Sequence, residues 1–284
     1  MALGFASVAS ADQPYPWQVT LQNAVTPIME EIIWLNNFTL VIITVITLFV
    51  LGLLVAIVVK FNSKANPVAS KTTHNTTIEI VWTVVPIIIL AVIVAPSIRL
   101  LYAQQVIPDA DVTIKATGYQ WNWGYEYPDL NIGEYVSVML LNDDERRAQS
   151  TARNQDLDQY PRLLAVDNEL VVPVGKIVRI DVTGGDVLHA FAMPAFGIKV
   201  DAVPGRLNST WFKAEKEGMY YGQCSQICGA GSDLAGHSFM PIAIRVVSDE
   251  TFQKWAAAAS EKIDGSWNVL AAANADDKVK LARQ

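Results

Sequence analysis

Residues 220–241 read Tyr220-Tyr-Gly-Gln-Cys224-Ser-Gln226-Ile-Cys228-Gly-Ala-Gly-Ser-Asp-Leu-Ala-Gly-His237-Ser-Phe-Met240-Pro241. The stretch holds both cysteines of a 284-residue chain, one of its three histidines, and a methionine three residues further on. Thiolate, imidazole and thioether are soft or borderline donors, a set that suits copper better than any hard cation. A second histidine, His189, closes the upstream run Asp186-Val-Leu-His189. A bland account stays open here. Cysteines four apart can close a disulfide or sit as inert buried thiols, and His189 and Met240 can be ordinary core residues. The coincidence of a thiol pair with a His-x-x-Met pair in one short loop weighs against it.

Outward from this loop, the chain divides by composition. Hydrophobic residues make up 51% and charged residues 17% of the sequence, a balance that fits a few membrane spans plus one domain of ordinary size. Trp34 to Val59 is 26 residues without a charge, and about 20 apolar residues cross a bilayer core. Ile78 to Leu101 is a second such run, with Glu79 and Arg99 near its ends and Pro86 and Pro96 inside it; prolines are tolerated in spanning helices. The loop between the runs carries Lys60, Lys64 and Lys71 and no acid. Short basic loops stay on the cytoplasmic side, so both ends of the hairpin are expected on the periplasmic side of a bacterial inner membrane. Ala9-Ser10-Ala11 resembles a signal-peptide cleavage site, though the apolar region before it is short and has no basic start. Thr76-x-x-Glu79 reads as a capping box.

Beyond the hairpin the period changes to two. Val112–Lys115, Glu169–Val172, Ile177–Val182 and Ile242–Val247 read as strands, punctuated by glycines, and many short strands within this length predict a sandwich or barrel. Tyr119-Gln-Trp121-Asn-Trp123-Gly-Tyr125-Glu-Tyr127 is an aromatic alternation suited to cross-strand packing. The polar segment Asp129 to Arg162 reads as an inserted loop, and a helix is expected from about Asp249 to Ala259, with a mobile tail after it. The expected domains are an N-terminal segment over 1–33, a helical hairpin over 34–103, a β-domain over 104–250, and a C-terminal helix and tail over 251–284. Residues 100–284 hold 24 acidic and 17 basic side chains. That surface steers a basic partner, with Glu126, Asp129, Asp167 and Asp186 as candidate contacts, and no nucleic acid is expected.

Taken together, Gly-Gln-Cys224-Ser-x-Ile-Cys228-Gly, His237-Ser-Phe-Met240-Pro and Asp186-Val-Leu-His189 resemble the copper-A site of the cytochrome c oxidase subunit II family. The resemblance implies a membrane helical hairpin followed by an all-β, cupredoxin-like Greek-key barrel. It implies a dinuclear copper centre bridged by Cys224 and Cys228, with His189 and His237 each capping one copper and Met240 and the Gln226 backbone carbonyl completing the set. A mononuclear blue-copper site uses one thiolate, so the second cysteine argues for two metals. It further implies that Trp121, within Gly-Tyr-Gln-Trp, is where electrons arrive from cytochrome c. Electrons would then pass to haem in subunit I, where oxygen is reduced and protons are pumped. Glu79, three residues before Trp82-Thr83, would lie at the mouth of a proton pathway, and Arg206 near the haem propionates of the partner. Other oxidase subunits and membrane lipid complete the expected partners.

The sequence departs from the family pattern twice. Eight residues, Gly229 to Gly236, separate Cys228 from His237 where the family has three; the extra residues are small, so the loop is expected to bulge outward and return His237 to the metal. Gln226 stands where the family usually has a glutamate that reaches a magnesium shared with subunit I, and a neutral amide is a weaker ligand for that hard cation. The competing class is a membrane-tethered copper carrier or store outside an oxidase, which would not require Glu79 or a two-helix hairpin. A quinol oxidase subunit would lack the cysteine pair. No Cys-x-x-Cys-His occurs, so no c-type haem is expected on the chain.

Overall fold

The computed structural model describes residues 13–231 and 233–281, with side chains described as far as residue 275. The cleavage site expected after Ala11 lies outside the described residues. Two long helices come first, α1 (Pro27–Lys60) and α2 (Thr76–Gln105). At 1.5 Å per residue they run about 51 and 45 Å, more than the ~30 Å hydrocarbon core. Their apolar side chains are exposed all round, among them Phe49, Leu54, Ile87 and Leu90. A core helix of a soluble protein would bury one face; a helix apolar and unburied on every side belongs in lipid. Both are membrane-spanning helices.

The cap of α2 differs from the expected Thr76 box by one residue. Asn75 is the capping residue: its Oδ1 accepts from the Ile78 amide at 3.2 Å, and Glu79 reaches back to accept from the Asn75 amide at 3.3 Å. Asparagine caps at least as well as threonine, and its side chain satisfies one of the amides that have no partner inside the helix.

The chain up to Glu30 joins Gln104 onward in one compact unit, and Glu31–Ala103 forms another. The first unit is a sandwich of two five-stranded sheets. One holds β1 (Val112–Tyr119), β2 (Asn122–Tyr127), β3 (Ile132–Ser137), β5 (Ile177–Gly184) and β8 (Asn208–Lys213), in the order β3-β2-β1-β5-β8. The other holds β4 (Leu170–Pro173), β6 (His189–Met193), β7 (Ile198–Ala202), β9 (Gly218–Cys224) and β10 (Pro241–Val247), ordered β4-β10-β9-β6-β7. Each sheet has one parallel pair, β1 with β5 and β4 with β10, among antiparallel ones. In the first sheet the antiparallel run β1-β2-β3 and the return of β5 beside β1 give the Greek-key order expected of the β-domain, here with β5 parallel to β1. Alternation decides the faces: in β5, Val178, Ile180 and Val182 point in and are fully buried.

The aromatic run forms the end of β1, a turn and β2. Tyr125 and Tyr127 pack their rings on Tyr135 of β3 at 5.9 and 6.5 Å, the cross-strand packing its alternation predicts.

The segment 129–162 is not a plain loop. It contains β3 and a ten-residue helix, α3 (Asp143–Ala152). Asn142 caps that helix by accepting from the Glu145 amide at 2.9 Å, and Asp143, Asp144 and Glu145 fill a first turn where negative charge suits the helix dipole. The charge run is a helix start. Behind it, Arg245 of β10 donates to Glu169 at 2.9 Å, and both side chains are buried. Gln155 and Tyr160 join the same network. The C-terminal region is α4 (Asp249–Glu261) followed by α5 (Ile263–Leu281), so the end expected to be a tail is helical. Trp255, Trp267 and Leu270 pack it onto the β-sandwich core, and Arg153 lies 4.2 Å over the Trp267 ring.

Candidate metal centre

The site forms at one end of the sandwich. His189 is the first residue of β6 and Cys224 the last of β9, and these strands pair through Phe191 and Cys224. The chain then turns: the Ser225 amide donates to the Ala190 carbonyl at 3.1 Å, which aims Cys224 and the loop after it back across β6. Cys228, His237 and Met240 lie on that connection, which leads into β10.

The distances describe one cluster. Cys224 Sγ and Cys228 Sγ are 3.9 Å apart, and both thiols are free and buried. His189 Nδ1 lies 3.9 Å from Cys224 Sγ and His237 Nδ1 lies 3.7 Å from Cys228 Sγ. Met240 Sδ lies 3.6 Å from Cys228 Sγ, and the Gln226 carbonyl oxygen 3.2 Å from Cys224 Sγ. Six donors converge, with the two sulfurs at the centre and a histidine on each flank.

The eight-residue segment delivers His237 by closing on itself. The His237 amide donates to the Gly229 carbonyl at 3.0 Å, and the Gly231 amide to the Ala235 carbonyl at 3.0 Å. Ala230 and Gly236 form an antiparallel bridge between them. The residues beyond this base are a side excursion, and the chain resumes at His237 almost where it left at Gly229. Gly229 and Gly236 hold φ of 103° and 149°, conformations that favour glycine.

Without metal the two thiols compete for one proton. Burial disfavours a thiolate at Cys224, but the His189 imidazole, the amides around Gln226 and Ala190, and His237 outweigh it and pull the thiol down to about 6. Burial and the neighbouring Cys224 charge push Cys228 up. The pair titrates as a unit that holds one proton in reserve. A bound cation would displace that proton, because the thiolate is the ligand.

Asp186 orients His189. Its Oδ1 accepts from His189 Nε2 at 2.9 Å, which puts the imidazole proton on Nε2 and leaves Nδ1 bare toward the sulfurs, the arrangement that fixes a metal-binding histidine. Burial opposes a protonated His189, but Cys224 and Asp186 overcome it and hold its pKa above the usual value. Burial raises and the His189 bond lowers the Asp186 carboxyl, with the lowering dominant. Asp186 also accepts from the Gln120 amide at 2.7 Å. Of the expected docking acids, Asp186 and Asp167 are hydrogen-bonded within the chain, the latter by the Val138 amide at 2.7 Å, though Asp186 stays exposed. Glu126 pairs with Lys115 at 3.1 Å, and Asp129 is exposed.

Trp121 sits on the turn between β1 and β2, half-buried, with its Nε1 donating to the Cys228 carbonyl at 3.3 Å. The sequence reading missed three companions. Gln120 Nε2 donates to the same carbonyl at 2.8 Å. Buried Trp123 donates to the Met240 carbonyl at 3.2 Å and packs edge-on against His189 at 6.1 Å. Gly118 lies so close that a Cβ there would come 2.8 Å from His189 Cγ. Only the position of Asp186 three residues before His189 signalled its role. Two expected site residues lie elsewhere: Glu79 is half-buried in the first turn of α2, and Arg206 is exposed between β7 and β8.

Comparisons with known proteins agree with one another. Residues 112–247 match the family model described as cytochrome c oxidase subunit II, periplasmic domain, and residues 14–100 match its transmembrane domain. The chain is 47% identical over 270 residues to a probable cytochrome c oxidase subunit 2 of Rickettsia bellii, covering 95% of this chain and 94% of that one. It is 46% identical over 250 residues to cytochrome c oxidase subunit 2 of Cereibacter sphaeroides, covering 86% and 80%. Among solved structures, the periplasmic domain of subunit II of cytochrome oxidase from Bradyrhizobium japonicum is 53% identical, with a TM-score of 0.46, over 56% of this chain and 99% of that one.

Proposed function

The chain belongs to the cytochrome c oxidase subunit II family, and from that premise we propose that it takes electrons from cytochrome c and relays them to haem in subunit I. The observation that carries the proposal is the donor cluster. Two free, buried thiols 3.9 Å apart, each flanked by a histidine nitrogen, would suit a pair of soft cations. Such a copper pair, once bound, accepts and gives up one electron at a time.

The chain's own residues do the rest. Cys224 and Cys228 would hold both metals, His189 and His237 one each, with Met240 and the Gln226 carbonyl as the weaker contacts. Asp186 keeps His189 in the tautomer that leaves Nδ1 free. Trp123 fixes the Met240 backbone, and burial of both sulfurs keeps water from them. Rigid, soft-ligated sites move little when their charge changes, and their burial tunes the potential. Trp121, hydrogen-bonded to the carbonyl of Cys228, gives electrons a short bonded path from the surface. The acidic balance of the domain favours a basic donor.

The basic loop between α1 and α2 supports a cytoplasmic hairpin turn and a periplasmic β-domain in the bacterial inner membrane. Glu79, in the first turn of α2, is the carboxylate we assign to the proton pathway's mouth. Gln226 offers only its carbonyl to the cluster, its exposed side chain being a neutral amide; no magnesium is assigned to it. A tethered copper carrier is disfavoured by burial of Cys224, Cys228, His189 and Met240, since exchange needs access.

Copper analysis with electron paramagnetic resonance of the assembled oxidase tests the proposal. Two coppers of this kind per chain, sharing one unpaired electron between equivalent nuclei, are expected. A single copper with a four-line spectrum would overturn it.

A further inference from the structure

We propose that the excursion 229–236 is a positioning device for the Trp121 indole, acting through Gly231. The inference rests on the reading of Trp121 as the place where electrons arrive.

The metal donors do not need the excursion. The bond from the His237 amide to the Gly229 carbonyl already returns the chain, and the Gly231–Ala235 bond seals off what lies beyond. Yet at Gly229 and Gly231 its backbone lies against Trp121. A Cβ on Gly231 would come 2.7 Å from Trp121 Cζ3 and 2.9 Å from Cη2, with Ala235 Cβ at 3.1 Å. A Cβ on Gly229 would stand 3.6 Å from Cζ2. The opposite edge of the ring is held by the Nε1 bond to the Cys228 carbonyl. The indole is therefore held at its pyrrole nitrogen by the metal loop, while its six-membered ring faces the backbone of Gly231 with no room for a side chain between them.

A Cβ at 2.7 Å from the ring requires one of the two to shift. Backbone hydrogen-bonded at 3.0 Å cannot yield as a flexible side chain does, so a methyl group on Gly231 must move the ring. Gly231 is also the right place to ask, because its φ lies outside the left-handed region, unlike those of Gly229 and Gly236. An alanine there tests space, not backbone strain. Gly231 is not among the donors and is a positioning residue.

In the assembled oxidase, Gly231→Ala is expected to slow electron uptake from reduced cytochrome c about tenfold at limiting donor, less than the ~10²-fold that a full 1 Å misplacement can cost. Copper content, the paramagnetic spectrum and turnover with an artificial donor that bypasses Trp121 should match the parent complex. In a Trp121→Phe background, Gly231→Ala should add no loss beyond that of Trp121→Phe, because phenylalanine lacks the ring atoms that Gly231 faces. Unchanged uptake in Gly231→Ala, an additive loss in the phenylalanine background, or loss of copper from Gly231→Ala would each overturn the inference. Those results would leave the parent's copper spectrum intact; if the parent complex lacks that spectrum, the underlying function falls and this inference falls with it.

Discussion

Replacing Asp186 is the most direct test of how the site is built. Asp186→Ala removes the acceptor of His189 Nε2 at 2.9 Å and of the Gln120 amide at 2.7 Å. It leaves both sulfurs, His189 and His237 in the sequence. Removing the partner of a metal-binding histidine costs about 10- to 100-fold in metal affinity, or about 1.4–2.8 kcal/mol at 1.4 kcal/mol per tenfold. The Asp186 side chain is 34% exposed, so solvent screens part of its charge and the lower half of that range is expected. Asp186→Asn separates the causes: its side-chain carbonyl can still accept from Nε2, so a loss smaller than that of alanine isolates the carboxylate charge. The assay is competition for copper against a chelator of known affinity, followed by the paramagnetic spectrum of the reloaded oxidase. Copper affinity and spectrum both unchanged in Asp186→Ala would refute the argument that this carboxylate sets the His189 tautomer.

Three further outcomes rest on other contacts. Gly118→Ala should lower copper occupancy with little change in global stability, because the new methyl group pushes on His189 at 2.8 Å; a full copper complement would count against it. Arg245→Met leaves Glu169 buried without its partner and should destabilise the domain by about 3–5 kcal/mol. The double substitution with Glu169→Leu should recover much of that in thermal unfolding, and equal losses in single and double variants would contradict the pairing. Burial raises the Asp167 carboxyl above its ordinary value, against the Val138 and Asn168 amides, which lower it. Its stabilising contribution is therefore full below about pH 4 and lost as pH rises through its own higher pKa. Relative to the parent, Asp167→Asn should gain stability over that window, and a relative loss of stability with rising pH would show the carboxylate to be favoured when charged.

The spans, the donor types and the β-domain were legible in the sequence, for reasons that do not depend on long-range contact. A bilayer requires about 20 apolar residues whatever the rest of the chain does. Copper chemistry is written in side-chain identity, so Cys224, Cys228, His189, His237 and Met240 could be read as candidates before any geometry was known. Period-two alternation carries its own face assignment, as in β5. The misreadings came where local composition was ambiguous. Asp143-Asp144-Glu145 looks like a solvated loop until Asn142 is seen to cap it, and the α2 cap shifted by one residue because Asn75 and Thr76 are both competent caps.

The tertiary structure alone decided what stands behind each donor. Asp186 stands three residues before His189, but only the fold shows that its carboxylate takes both His189 Nε2 and the Gln120 amide 66 residues away. Trp123 meets the Met240 carbonyl across 117 residues, and Gln120 meets the Cys228 carbonyl across 108; no periodicity encodes such pairs. The long segment after Cys228 posed the same difficulty. Its glycines permit a closed base, but only the hydrogen bonds across Gly229–His237 and Gly231–Ala235 determine that it closes and that its backbone lies against Trp121. Residue identity sets which chemistry is available, and packing between distant strands sets which groups are held where that chemistry can act.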